Sequence, residues 1–160
     1  MDSISAKSVI QRLTHAFQGL VPRATWGETS LFYNPGNALK NGVYFATIKE
    51  HDGENDRASN LDREGVFRLS FGLPPASYEQ RFGPRPARPS KGAVVPTGHD
   101  FTSLNELTPH PVYAWMGWVQ VLSPTEGTMR DLTPLLTLAY EKAEISFEKR
   151  VGKPTPERDV

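Results

Sequence analysis

The sequence predicts an α+β fold: an antiparallel sheet of about five strands, with an N-terminal helix and a long C-terminal helix packed on one face. Three observations predict it. Apolar residues recur at helical spacing near both ends of the chain. Strand-like runs bounded by Asn, Gly and Pro fill the middle. One uncharged aromatic stretch, Pro109 to Pro124 with Tyr113, Trp115 and Trp118, supplies the largest single block of burial. A chain of 160 residues has room for one core, so residues 1–150 read as a single domain and residues 151–160 as a flexible tail.

Val9, Ile10, Leu13, Phe17 and Leu20 recur three and four apart, with Arg12, His15 and Gln18 between them, which predicts a helix from about Ser5 to Gln18. Ser3 or Ser5 caps its start, and Gly19 with Pro22 stops it. Strands are predicted at Thr29 to Tyr33, Val43 to Ile48 and Val66 to Phe71. The stretch Lys49 to Gly65 between the second and third is too polar to bury and reads as a surface loop, with Arg57 and Arg63 available to neutralise its acids. Pro74 and Pro75 open a helical turn at Ala76 to Phe82, and the proline- and glycine-rich residues 83–98 read as extended loop. Asp100 caps a further turn toward Leu107, and the second half of the aromatic stretch, residues 115–122, is the central strand. Leu132, Leu135, Leu136, Ala139 and Ala143 form the second amphipathic face, and Thr133 before Pro134 predicts a helix start there, since proline fits the first helical turn.

Composition narrows the function. Lys plus Arg and Asp plus Glu balance at 18 each, so no global field draws the protein to nucleic acid or an anionic membrane. The absence of cysteine excludes disulfides, thiolate metal sites and cysteine nucleophiles, and fits a reducing cytoplasmic setting. No secretory leader or bilayer-length apolar segment is expected. Glycine-rich phosphate loops, nucleophile elbows and dinucleotide fingerprints are also missing. No cofactor is implied.

Five phrases look familiar together: FATI at 45–48, SNLDREGVFRLSFG at 59–72, TGHDF at 97–101, PHPVYAWMGWVQVL at 109–122 and PLLTLAYEKA at 134–143. They resemble a family of uncharacterised bacterial proteins over about Trp26 to Phe147. More loosely, the order of an N-terminal helix, a Trp-Gly near Trp26, antiparallel strands, a Trp-Val strand and a C-terminal helix bearing a tyrosine is similar to the MmcQ/YjbR-like proteins. That resemblance implies a CyaY-like α+β fold and a suggested role in binding DNA. Neither resemblance supplies a catalytic residue.

Four groups of residues are candidates for chemistry. If both helices cover the Phe67/Val119 side of the sheet, alternation points Arg68, Ser70, Trp118 and Gln120 the other way, where a tryptophan beside an arginine suits a planar or anionic ligand. His99, Asp100 and His110 are the candidate catalytic or metal groups, with His51 and Asp52 a weaker pair. Against them stands a structural expectation: Asp100 caps a turn, His99 bonds backbone and His110 packs between prolines. The alternate acids Asp52, Glu54 and Asp56 open like a calcium loop, but Arg57 stands where such a loop needs glycine. Arg81, Arg85, Arg88 and Lys91 form a basic ridge on a proline-stiffened segment, able to track phosphates, and Pro86, Pro89 and Lys91 make a loose motif for an SH3-like partner. The leading expectation is a cytosolic binding module for a small ligand or protein partner at the second face of the sheet. A metal-dependent or acid-base enzyme and a nucleic-acid binder are the alternatives.

Overall fold

The computed structural model describes residues 3–25 and 27–152. The sheet has six strands, one more than about five: β1 Leu20–Thr25, β2 Glu28–Tyr33, β3 Val43–Lys49, β4 Arg68–Gly72, β5 Leu107–Pro109 and β6 Trp118–Leu122. Their order is β1-β2-β3-β4-β6-β5, every neighbouring pair antiparallel. Three helices complete the fold: α1 Ala6–Ala16, α2 Pro75–Phe82 and α3 Glu126–Gly152. Among the described residues no helix is long and apolar enough to cross a membrane. Of the expected tail, residues 153–160 lie outside the described residues, while Val151 and Gly152 close α3.

Helix α1 starts where the sequence predicts, with the Ser8 amide donating to Ser5 Oγ at 3.1 Å. It buries Val9 and Leu13. Gly19, at φ 83°, turns the chain at once into β1, which carries Pro22 opposite Leu31. Here the sequence reading is corrected: Pro22 sits in a strand rather than marking a helix stop. An edge strand tolerates proline when its missing N–H faces away from the ladder.

Helix α3 is also longer than expected. It begins at Glu126, capped by Thr125 Oγ1, which accepts from the Thr128 amide at 3.2 Å. Pro134 therefore lies inside the helix rather than at its start. An interior proline costs ~3 kcal/mol, but α3 buries Met129, Leu132, Leu136, Ala139, Ala143 and Phe147, and full burial of one large apolar side chain is worth ~1.5–3 kcal/mol. Packing outweighs the break, so the turn N-terminal to Pro134 stays helical.

Both long helices use one side of the sheet. Leu31, Ala46, Ile48, Leu69, Phe71, Val119 and Val121 form the strand side of that core. Phe17 at the end of α1 meets Phe45 of β3 at 5.2 Å and Tyr140 of α3 at 4.8 Å between ring centroids. The Tyr140 hydroxyl donates to the Gln18 carbonyl at 2.6 Å and locks the helices together. Leu31 pairs with Ala46 but Phe32 with Tyr44, so Phe45 is the extra residue of a bulge in β3 that resets its alternation: Phe45 is buried and Tyr44 is 57% exposed.

Candidate functional site

The register assembles the other side of the sheet one row at a time. Ser70 of β4 stands between Thr47 of β3 and Gln120 of β6, and Gln120 faces Thr108 of β5. These side chains bond in two pairs, one between β3 and β4 and one between β6 and β5. Thr47 Oγ1 and Ser70 Oγ are 2.8 Å apart, and Gln120 Nε2 donates to Thr108 Oγ1 at 3.3 Å and to the Phe101 carbonyl at 3.2 Å. The adjoining row pairs Lys49 with Arg68, and the next places Gly72 beside Trp118. Arg68, Ser70, Trp118 and Gln120 thus occupy one face, as alternation requires.

Most of that face is closed. The polar stretch expected to lie on the surface folds over it, burying Ser59 and Leu61 and bringing Asp56 down onto Arg68. Its own acids hold it in shape: Asp52 Oδ1 accepts from the Leu61 amide at 2.8 Å, and Asp62 Oδ1 from the Asp52 amide at 3.1 Å. Ser59 Oγ donates to Gln120 Oε1 at 3.0 Å. Arg63 does not neutralise an acid here but donates to the carbonyls of Ser59, Asn60 and Thr102. The cations that meet Asp56 come from the strands beneath it, which local sequence cannot show.

Arg68 is 1% exposed and grips Asp56 with both terminal nitrogens, Nη1 to Oδ1 at 3.0 Å and Nη2 to Oδ2. Lys49 Nζ lies 3.8 Å from the same carboxylate. Burial alone would raise the pKa of Asp56, but the Arg68 hydrogen bond and charge overcome it and hold the carboxyl down at about 2. Arg68 Nε is the buried side-chain nitrogen without a partner among the described residues. His110 lies within electrostatic reach of this group. Its Nδ1 accepts from the amides of Val112 at 3.0 Å and Tyr113 at 3.1 Å, so the proton of the neutral ring sits on Nε2. Burial, reinforced by Arg68 and opposed by Asp56, pushes the imidazole well below its usual range.

His99, Asp100 and His110 have separate partners. His99 Nδ1 is 2.9 Å from Thr97 Oγ1 and its ring stands edge-on to Phe82. Asp100 caps its own turn, accepting from the Thr102 amide at 2.9 Å and hydroxyl at 2.6 Å, contacts that hold its pKa down. His51 lies 3.5 Å from Asp62, both exposed. Among the described residues no three His, Asp or Glu side chains are grouped to hold a metal ion. On the basic ridge, Arg85 Nε donates to Glu79 at 3.1 Å, Arg88 lies 5.0 Å above the Trp115 ring, Arg81 lies 5.9 Å from Phe82, and Lys91 is exposed.

Trp118 is the exception to the closure. It is partly exposed, and the exposed ring of Tyr44 stands edge-on to it at 6.5 Å. Gly72 makes room for it: a β-carbon there would come within 2.8 Å of Trp118 Nε1 and 3.3 Å of Lys142 Nζ. Lys142, on α3, is partly buried, and burial followed by the charge of Arg85 lowers its pKa. Sequence reasoning missed Tyr44 and Lys142, and singled out Asp56 only as part of an acidic loop, not as the partner of Arg68. The available signals were a glycine directly after a predicted strand and a lone lysine beside Ala139 and Ala143 of the predicted apolar helix face.

Fold and site together define a single-sheet α+β protein, two helices on one face and a sealed polar layer with an aromatic opening on the other. The chain belongs to a family of unknown function, DUF6194, whose model matches residues 4–152. No curated protein and no solved structure matches it.

Proposed function

We propose that residues 1–150 act as one cytosolic domain whose work is binding rather than turnover, and that its ligand is a small planar molecule held at the Trp118 and Tyr44 end of the sheet's second face. One observation carries this reading. Of the four residues that alternation assigns to the face, Arg68, Ser70 and Gln120 are sealed and engaged by internal partners, whereas Trp118 retains accessible surface beside an exposed tyrosine. Two aromatic rings set edge-on leave a corner in which a third ring gains stacking and edge contact, each worth ~0.5–1.5 kcal/mol beyond area burial. The closed polar layer behind them keeps the sheet from yielding when a ligand docks. The proposed bacterial origin rests on the five phrases shared with uncharacterised bacterial proteins, and the proposed relation to the MmcQ/YjbR-like proteins on the order of helix, antiparallel strands, Trp-Val strand and tyrosine-bearing helix.

The test is a screen of phenyl and heteroaryl compounds against ¹⁵N-labelled protein, reading the indole N–H resonances of its three tryptophans. Binding shifts the Trp118 resonance and is abolished by Tyr44→Ala. A Trp118 signal that answers to no compound refutes the reading. A second reading, nucleic-acid binding by the ridge, is favoured by Arg88 stacked on Trp115, an aromatic that local sequence had not placed beside it. It requires affinity for single-stranded DNA that falls steeply with salt and drops in Arg88→Ala.

A further inference from the structure

We infer that the ligand at Trp118 is an anion, an aromatic molecule whose carboxylate or phosphate sits between Trp118 Nε1 and Lys142 Nζ. This rests on the reading that Trp118 and Tyr44 form the ligand's aromatic corner, and it adds the chemistry of the group attached to the ring. The two nitrogens come from different elements, β6 and α3, yet both close on the same point above Gly72, at 2.8 Å and 3.3 Å from where a β-carbon would stand. The indole N–H is a donor only, and the ammonium offers three donors and no acceptor, so nothing in the pair satisfies the other. Among the described residues neither nitrogen has a hydrogen-bond or ion-pair partner: all five ion pairs lie elsewhere.

The surroundings add positive charge. Arg85, on the chain just after α2, is near enough to depress Lys142, and its Nε is the atom engaged by Glu79. A partly buried lysine whose electrostatic neighbour is an arginine is held at a cost that an oxyanion repays. It would accept from both donors, and its charge would be favourable to both cations. A glycine at 72 is required for this, since a β-carbon there would collide with the indole and crowd both donors out of place. The arrangement therefore gives one explanation for three features that otherwise stand apart: a glycine ending β4, a lysine on the packed side of α3 and an indole N–H without an acceptor.

The experiment compares phenyl phosphate, benzoate and phenol, titrated into ¹⁵N-labelled protein at one pH and ionic strength while the Trp118 indole resonance is followed. At least one of the two anions binds ten times or more tightly than phenol, and the tighter of them assigns the head group as phosphate or carboxylate. Lys142→Gln brings that anion down to the affinity of phenol and leaves phenol unchanged, while Lys142→Arg restores most of the difference. Arg85→Ala, at an exposed side chain, lowers the anion's affinity threefold or more and covers the case in which Lys142→Gln disturbs α3. Phenol binding as tightly as both anions overturns the anion seat while leaving the aromatic corner standing. An anion preference that survives Lys142→Gln and Arg85→Ala overturns it too. Failure of all three compounds to move the Trp118 resonance removes the aromatic corner and the anion seat together.

Discussion

Replacing Asp56 by alanine isolates the interaction that closes the sheet's second face. The substitution takes two hydrogen bonds from Arg68, a side chain only 1% exposed, and leaves it with Gln120 Oε1 at 3.5 Å and an Nε that has no partner. Lys49 can move its ammonium toward water, but the guanidinium of Arg68 has no such path. Stranding a buried charge in this way costs ~3–5 kcal/mol. In a chain of this size each kcal/mol lowers the melting temperature by ~2–4 °C, so a fall of roughly 6–20 °C is expected. Urea unfolding followed by circular dichroism measures the free energy, and hydrogen exchange of residues 51–65 reports whether the covering loop opens first. The double variant Asp56→Ala/Arg68→Met removes both charges and recovers most of the loss, since an apolar pair of similar volume is often no worse than a buried ion pair. A cost below ~1 kcal/mol for Asp56→Ala, or a double variant as unstable as the two single changes added together, would refute the claim that the pair is a buried, mutually dependent unit.

Acid should destabilise the protein in two stages. Burial keeps the folded imidazole of His110 well below 6.5, so the unfolded chain binds a proton first and stability declines as pH falls from about that value. Asp56 adds a second decline below 3.8, continuing toward about 2, and the difference between those values corresponds to ~2.5 kcal/mol present at neutral pH and lost in acid. Urea midpoints measured from pH 8 to pH 3 show the first stage reduced in a His110→Phe variant. Gly117→Ala is a second, independent probe. Gly117 has φ 91°, and an added β-carbon would lie 2.8 Å from the Leu73 carbonyl oxygen, whereas Gly36, at φ 67°, has nothing within 4 Å. Gly36→Ala is expected to cost ~1–2 kcal/mol from backbone strain alone, and Gly117→Ala at least ~1 kcal/mol more. Equal midpoints for the two variants would contradict the close approach at Leu73.

Much of the fold is legible in short-range pattern. Helical spacing marks Val9 and Leu13 on α1 and Leu132, Leu136, Ala139 and Ala143 on α3, and all six are buried. Alternation in Phe67 to Phe71 and in Trp118 to Val121 sorts Arg68, Ser70, Trp118 and Gln120 onto one face, because successive side chains of a strand point to opposite sides. What this logic misses is what packing overrides. Pro22 and Pro134 read as punctuation, yet one lies in an edge strand and the other inside a helix held down by its buried face. The three-residue strand β5 is too short to carry a pattern of its own.

Periodicity and composition by themselves determined the fold class, the two helix faces, the sidedness of the central strands and the want of any cysteine chemistry, since each of these depends on residues within a few positions of one another. Tertiary structure alone decided which polar groups meet. Asp56 is twelve residues from Arg68, Ser59 is sixty-one from Gln120, and Lys142 arrives beside Trp118 from a different element altogether. A charged group carries no local mark of whether it will face water or a partner. That depends on the desolvation of the place where the chain brings it, and no run of neighbouring letters encodes that place.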